Sequence, residues 1–225
     1  MKRKISIILL FMNLAISYSQ NTKKVEYGVL FNIEEITDER MKNSFFIKTI
    51  NEYKENIIFD LIFNDSVSNF KTQELLNVEN KGKINYASYM VIDGEYYFNS
   101  KSSILIKKLD DLDCLITNKL NWTLHLEEKI IDGMKCYKAT SEKTVINSKG
   151  KFVFPITAWY TPDLPYSFGP GIFVGLPGLV LEVRDRNFVI FAKKIVLKSN
   201  EKIKEISVDK TISEEEYLKR ILNKN

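Results

Sequence analysis

Over much of this chain apolar and polar residues alternate with a period of two, the spacing that turns one face of a β-strand inward and the other to water. Val25 to Ile33, Ile57 to Phe63 and Phe152 to Thr161 read as strands, rich in β-branched and aromatic residues. The clearest alternation sets Trp122, Leu124 and Leu126 against Thr123, His125 and Glu127. It predicts a half-buried strand with the leucines inward and His125 facing solvent or a cavity. Turn chemistry divides the runs. Asp93-Gly94 predicts a hairpin between Ile84–Ile92 and Glu95–Asn99, whose second arm leads on to Ser103–Ile106. Asp132-Gly133 predicts a second hairpin returning through Met134 to Thr140, and Asp185-Arg186-Asn187 separates strands Leu179–Arg184 and Phe188–Leu197. Asp38 to Glu55 is ambiguous, because Met41, Phe45 and Phe46 make one helical stripe before the pattern blurs. Ser213 with Glu216 three residues later is a capping box opening a short helix to about Leu222.

Short strands joined by tight turns predict a mainly β chain: a single curved antiparallel sheet or half-barrel with a short C-terminal helix. No internal repeat and no Pro- or Ser-rich linker divides residues 20–225, so one β-rich domain is expected there.

Composition adds a compartment. Lys2, Arg3 and Lys4 precede an apolar stretch from Ile5 to Ile16, and Ser17 and Ser19 place small residues before Gln20. That order predicts a secretory signal peptide over residues 1–19, cut near Ser19-Gln20, and hence a periplasmic or cell-surface location. The apolar stretch is short against the ~20 residues that span a bilayer, and no transmembrane segment is expected in the mature chain. The net charge of +4 owes 3 units to the leader, leaving +1. No block of like charge remains to release counterions from a polynucleotide, so nucleic-acid binding is not expected. Cys114 and Cys136 both fall in the exported part. A lone pair in an oxidising compartment favours one disulfide, which would stabilise by roughly 3 kcal/mol in the chain-entropy model. Two separately buried thiols are the alternative.

Catalytic and metal chemistry find little support. His125 is the sole histidine, and no GxSxG elbow supplies a nucleophile for it to activate. An unrecognised hydrolase would still have to use His125 or a buried carboxylate. One histidine and two cysteines do not make the usual zinc set, and Asp110, Asp111 and Asp113 lack the glycine and bidentate glutamate of a calcium loop. Glu127 and Glu128 are neighbours on a strand and point to opposite faces, so they cannot flank one glycosidic bond. Glu182 reads as half of a cross-strand ion pair. No catalytic residue, metal or cofactor is assigned.

The segment Gly169-Pro170-Gly171-Ile172-Phe173-Val174-Gly175-Leu176-Pro177-Gly178 runs straight into strand Leu179–Val183. A phosphate cradle would open a helix with free N–H groups; here Pro170 and Pro177 remove donors and a strand follows. Two readings remain. One is a rigid corner, with glycines where the backbone is crowded or left-handed and the leucines sealing the core. The other is a loop offering Ile172, Phe173, Val174 and Leu176 to a lipid or a protein.

The block Gly175-Leu176-Pro177-Gly178-Leu179-Val180 resembles the hexapeptide that names the GLPGLI family of secreted bacterial envelope proteins, with Val180 in place of isoleucine. Trp122-Thr-Leu, Asp132-Gly-Met-Lys-Cys136, Ala158-Trp-Tyr-Thr161 and Phe168-Gly-Pro170 fit the same resemblance, which is strong from about Trp122 to Val183 and weak before residue 84. That family carries no established activity or cofactor, so the resemblance implies none. The expected function is non-catalytic: binding a lipid, another apolar ligand or an envelope protein partner on the concave sheet face. A structural or accessory subunit of an outer-membrane complex is the alternative.

Overall fold

The computed structural model describes residues 21–75, 78–109, 112–116, 119–147, 150–203, 206 and 208–222. The expected leader and its cleavage site lie outside the described residues. In chain order the elements are β1 (Thr22–Phe31), α1 (Glu39–Lys42), α2 (Phe45–Tyr53), β2 (Phe59–Phe63), β3 (Val67–Thr72), α3 (Lys81–Val91), β4 (Glu95–Asn99), β5 (Ile104–Leu109) and β6 (Leu112–Ile116). Then follow β7 (Thr123–Ile131), β8 (Met134–Asn147), β9 (Gly150–Thr161), β10 (Leu179–Asp185), β11 (Phe188–Ser199), β12 (Thr211–Ser213) and α4 (Glu214–Leu222).

All twelve strands belong to one open sheet, ordered β12-β6-β5-β4-β3-β2-β1-β11-β10-β9-β8-β7. Its ladders are antiparallel except that of β12 with β6, which is parallel. The chain is therefore mainly β, with a short C-terminal helix. Strands β5 and β6 near one end of this order and β8 and β9 near the other line a common cleft. The sheet thus curls until its ends face each other without closing, as accumulated right-handed strand twist allows.

Turn residues set the registers. Asp132 (φ 47°) and Gly133 (φ 75°) are both left-handed, the backbone of a two-residue hairpin, and they pair Ile131 with Met134. Arg186 (φ 56°) turns β10 into β11 with Asp185 opposite Phe188. The Asn64 side chain accepts hydrogen bonds from the Ser66 and Val67 amides and so turns β2 into β3.

The main core fills one side of the sheet. Phe168 packs among Phe63, Phe98 and Tyr166, with ring centroids 5.5 to 6.5 Å apart. Burying each such ring stabilises the fold by about 1.5–3 kcal/mol. A smaller cluster of Ile62, Val67, Tyr97, Ile106 and Ile203 is separate from it.

Three expectations are corrected. The run Ile84–Ile92 is not a hairpin arm but most of helix α3. Ile84, Ala87 and Ser88 are buried at helical spacing, and the Ser88 hydroxyl donates back to the Ile84 carbonyl at 2.9 Å. The polarity of β7 is also reversed: Leu124 and Leu126 are 52% and 93% exposed, whereas His125 is half-buried. β7 is the terminal strand of the sheet, so the leucines have no further strand to pack beside, and its ladder with β8 is irregular between Leu124 and Glu128. Finally, Cys136 is a free buried thiol, with its Sγ 3.6 Å from the Met134 carbonyl. It lies on β8 while Cys114 lies on β6, nine places away in the strand order, so the expected Cys114–Cys136 bond is absent.

Candidate ligand cleft

Between the two ends of the sheet lies a cleft of about 1630 Å³. Each wall is organised by one carboxylate. On the first, Asp93 closes the connection from α3 to β4. It accepts from the Tyr96 hydroxyl at 3.1 Å and from Lys107 Nζ of β5 at 2.5 Å. Burial, reinforced by the Asp93 charge, holds the Tyr96 phenol well above its ordinary pKa, so this ring stays a neutral donor.

On the second wall Asp185 ends β10. It is buried and takes Lys143 Nζ of β8 at 2.8 Å and Arg186 Nε at 3.2 Å. The Arg186 guanidinium also lies 5.3 Å from the Phe154 ring centroid. The row Ser141, Ile156, Asp185 and Phe188 runs across neighbouring strands on one face of the sheet. Ile156, Phe188 and Ile190 form apolar floor beside these charges. Helix α4 brings Glu214 to the same cleft, and its Oε2 atom is buried with no hydrogen-bond partner among the described residues.

The glycine-proline segment is a crowded corner behind the cleft. A Cβ at Gly169 would overlap the Phe173 carbonyl oxygen and stand 2.8 Å from Val180 Cβ; one at Gly178 would overlap the Thr161 carbonyl. Its backbone is tied on three sides. The Trp122 indole N–H donates to the Val174 carbonyl at 3.0 Å, the Tyr27 hydroxyl to the Val180 carbonyl at 2.6 Å, and the Gly175 amide to the Ser167 carbonyl at 3.0 Å. Phe173, Val174 and Leu176 are buried, so they are not an exposed tip; half-buried Ile172 and the edge of Phe173 reach the cleft wall. Pro170 accepts the Phe173 amide on its carbonyl, and Gly171 is left-handed at φ 58°. Pro177 lies in the bend before β10.

Other sequence candidates stand apart from this arrangement. His125 Nε2 is 2.7 Å from the Thr140 hydroxyl, with no carboxylate bonded to the ring among the described residues. Glu182 pairs with Lys129 at 2.7 Å, and Lys129 also sits over the Trp159 ring. Glu127 and Glu128 pair with Lys138 and Lys135. Among the described residues no three His, Cys, Asp or Glu side chains converge as metal ligands, and no helix is long and apolar enough to cross a membrane. Asp93, Lys107, Lys143, Asp185 and Arg186 escaped sequence reading as a site; the Asp93-Gly94 and Asp185-Arg186-Asn187 turns marked their neighbourhood, and nothing marked Lys107 or Lys143.

A family model described as a protein of unknown function (Porph_ging) matches residues 147–182, a stretch that contains Gly175–Val180. No curated protein sequence matches the chain. Among solved structures, two crystal forms of PNGF-II share the fold. The C2 form aligns with a TM-score of 0.52 at 16% identity over 89% of this chain, and the P21 form with 0.51 at 18% over 90%. This chain spans about a third of the length of those proteins, 32% and 33% respectively. At such identity the likeness is one of fold.

Proposed function

We propose that this chain is an exported, non-catalytic binding protein of the GLPGLI type, which holds an apolar or amphiphilic ligand between the two ends of its sheet. The observation that carries the reading is the cleft itself: about 1630 Å³, floored by Ile156, Phe188 and Ile190 and rimmed by fixed ion pairs. Pockets for small molecules run to about 300–1,000 Å³, so the cleft has room for a ligand as large as a lipid. The Gly175–Val180 block and the matched stretch around it support the family assignment.

Native mass spectrometry of protein purified from its own host, before and after solvent extraction, tests this reading. A stoichiometric adduct that extraction removes supports carriage. An empty protein that also fails to take up a neutral apolar probe such as oleyl alcohol overturns it. N-terminal sequencing of the same material should begin at Gln20.

The free edge of β7, with Leu126 and Ile130 exposed at 93% and 68%, favours a second reading as an accessory subunit of an outer-membrane complex. Photo-crosslinking from position 126 in intact cells would then trap one defined neighbour.

A further inference from the structure

Building on the reading of the cleft as a ligand site, we propose that its ligand carries an anionic head group, held by Arg186 and Lys143. One carboxylate, Asp185, serves two cations at 2.8 and 3.2 Å, so neither cation has a carboxylate to itself. The Asp185 side chain is only 8% exposed, so it works as a fixed post from which both cations are positioned. Arg186 uses Nε on Asp185, and its two terminal amino groups make no hydrogen bond among the described residues. Lys143 likewise has one described bond, to Asp185. A guanidinium carries five donors in a rigid fork that matches carboxylate or phosphate oxygens, so the unspent ones are those an anion takes. Stacking on Phe154 fixes the plane of that fork. Glu142, Glu214 and Glu215 also line the cleft, as do Lys119 and Lys151, so it is the unspent donors of Arg186 and Lys143, and not a net charge, that an anion takes.

What surrounds the cations selects an amphiphile over a free ion. Ile156 and Phe188 are the direct cross-strand partners of Asp185, and Ile190 lies two residues along β11 on the same face. An anion bound at Arg186 therefore has an apolar surface beside it for a hydrocarbon tail.

The test compares oleate with oleyl alcohol, which share a chain and differ in head group, by equilibrium binding to the full chain. Oleate should bind about tenfold tighter, the size of one charge-assisted hydrogen bond in a partly buried site. Arg186→Gln should bring oleate down to the affinity of oleyl alcohol. Lys143→Gln gives the same readout from β8 if the turn substitution harms folding. Inorganic phosphate should not displace oleate at millimolar concentration; displacement would assign the site to a free anion and overturn the amphiphile. Equal binding of both probes, or a preference that survives both substitutions, would overturn the head-group assignment and leave the cleft reading standing. Failure of both probes to bind would overturn both.

Discussion

Trp122 donates its indole N–H to the backbone carbonyl of Val174 at 3.0 Å, a bond that spans 52 residues. It fastens the approach to β7 to the glycine-proline corner, so the corner is held by a distant side chain as well as by its own sequence. Trp122→Phe keeps most of the ring and deletes the donor. It should cost about 1–2 kcal/mol in urea denaturation, the value of a half-buried bond whose acceptor is left unpaired. Tyr27→Phe deletes the buried bond to the Val180 carbonyl and should cost a similar amount.

Glycine substitutions should separate crowding from propensity. Gly178→Ala drives a methyl into the Thr161 carbonyl and should destabilise by roughly 1–3 kcal/mol, as overpacking does. Gly82→Ala meets nothing within 4 Å near the start of α3 and should instead stabilise by about 0.5 kcal/mol. Thermal melts of the two variants should therefore move in opposite directions.

Burial pushes the Cys136 thiol up to about 11. Since the unfolded thiol ionises first, at its ordinary value of 9.0, the unfolded state holds fewer protons between those limits. Stability from this group is full below pH 9 and declines as pH rises toward 11. Iodoacetamide at pH 8.5 should leave Cys136 unmodified in the native protein. It should modify Cys136 in guanidinium without reductant, as peptide mapping would report.

Lys24 Nζ lies 2.9 Å from both Asp60 and Glu201. Burial raises the Asp60 carboxyl above its ordinary value despite the bond from Lys24. Lys24→Met strands that buried carboxylate and should cost about 3 kcal/mol at pH 7. An acid whose folded pKa is raised takes up its proton in the folded state first, so folding gains as pH falls through that value. The deficit of the variant should therefore shrink on acidification, as paired urea titrations at pH 7 and pH 4.5 would show.

Much of the sheet was legible because its signals are local. The Asp132-Gly133 and Asp185–Asn187 turns place β7 to β11 within a few residues of where they lie. Helix α3 was not, because Ile84, Tyr86, Tyr89, Val91 and Ile92 carry strand-like side chains, and the helical face formed by Ile84, Ala87 and Ser88 is narrow. Strand β3 was missed because Ser68, Asn69 and Lys71 break its apolar pattern, although Ser68 and Asn69 are buried. The cleft lies beyond sequence reading altogether. Asp93 and Lys107 face Lys143, Asp185 and Arg186 only because the sheet curls, and curvature accumulates over twelve strands without any one residue announcing it.

Among the described residues, the ladder between β1 and β11 is the sole pairing that joins the strands β2 to β6 with the strands β7 to β10, and it sets Thr22 against Ser199. A growing chain cannot complete its sheet until nearly all of it has been made. Contacts so distant in sequence are slow to find, since each must first overcome the entropy of closing a very long loop. The hairpins on either side can pair as they emerge, but the two arrays stay unjoined until β11 has been made.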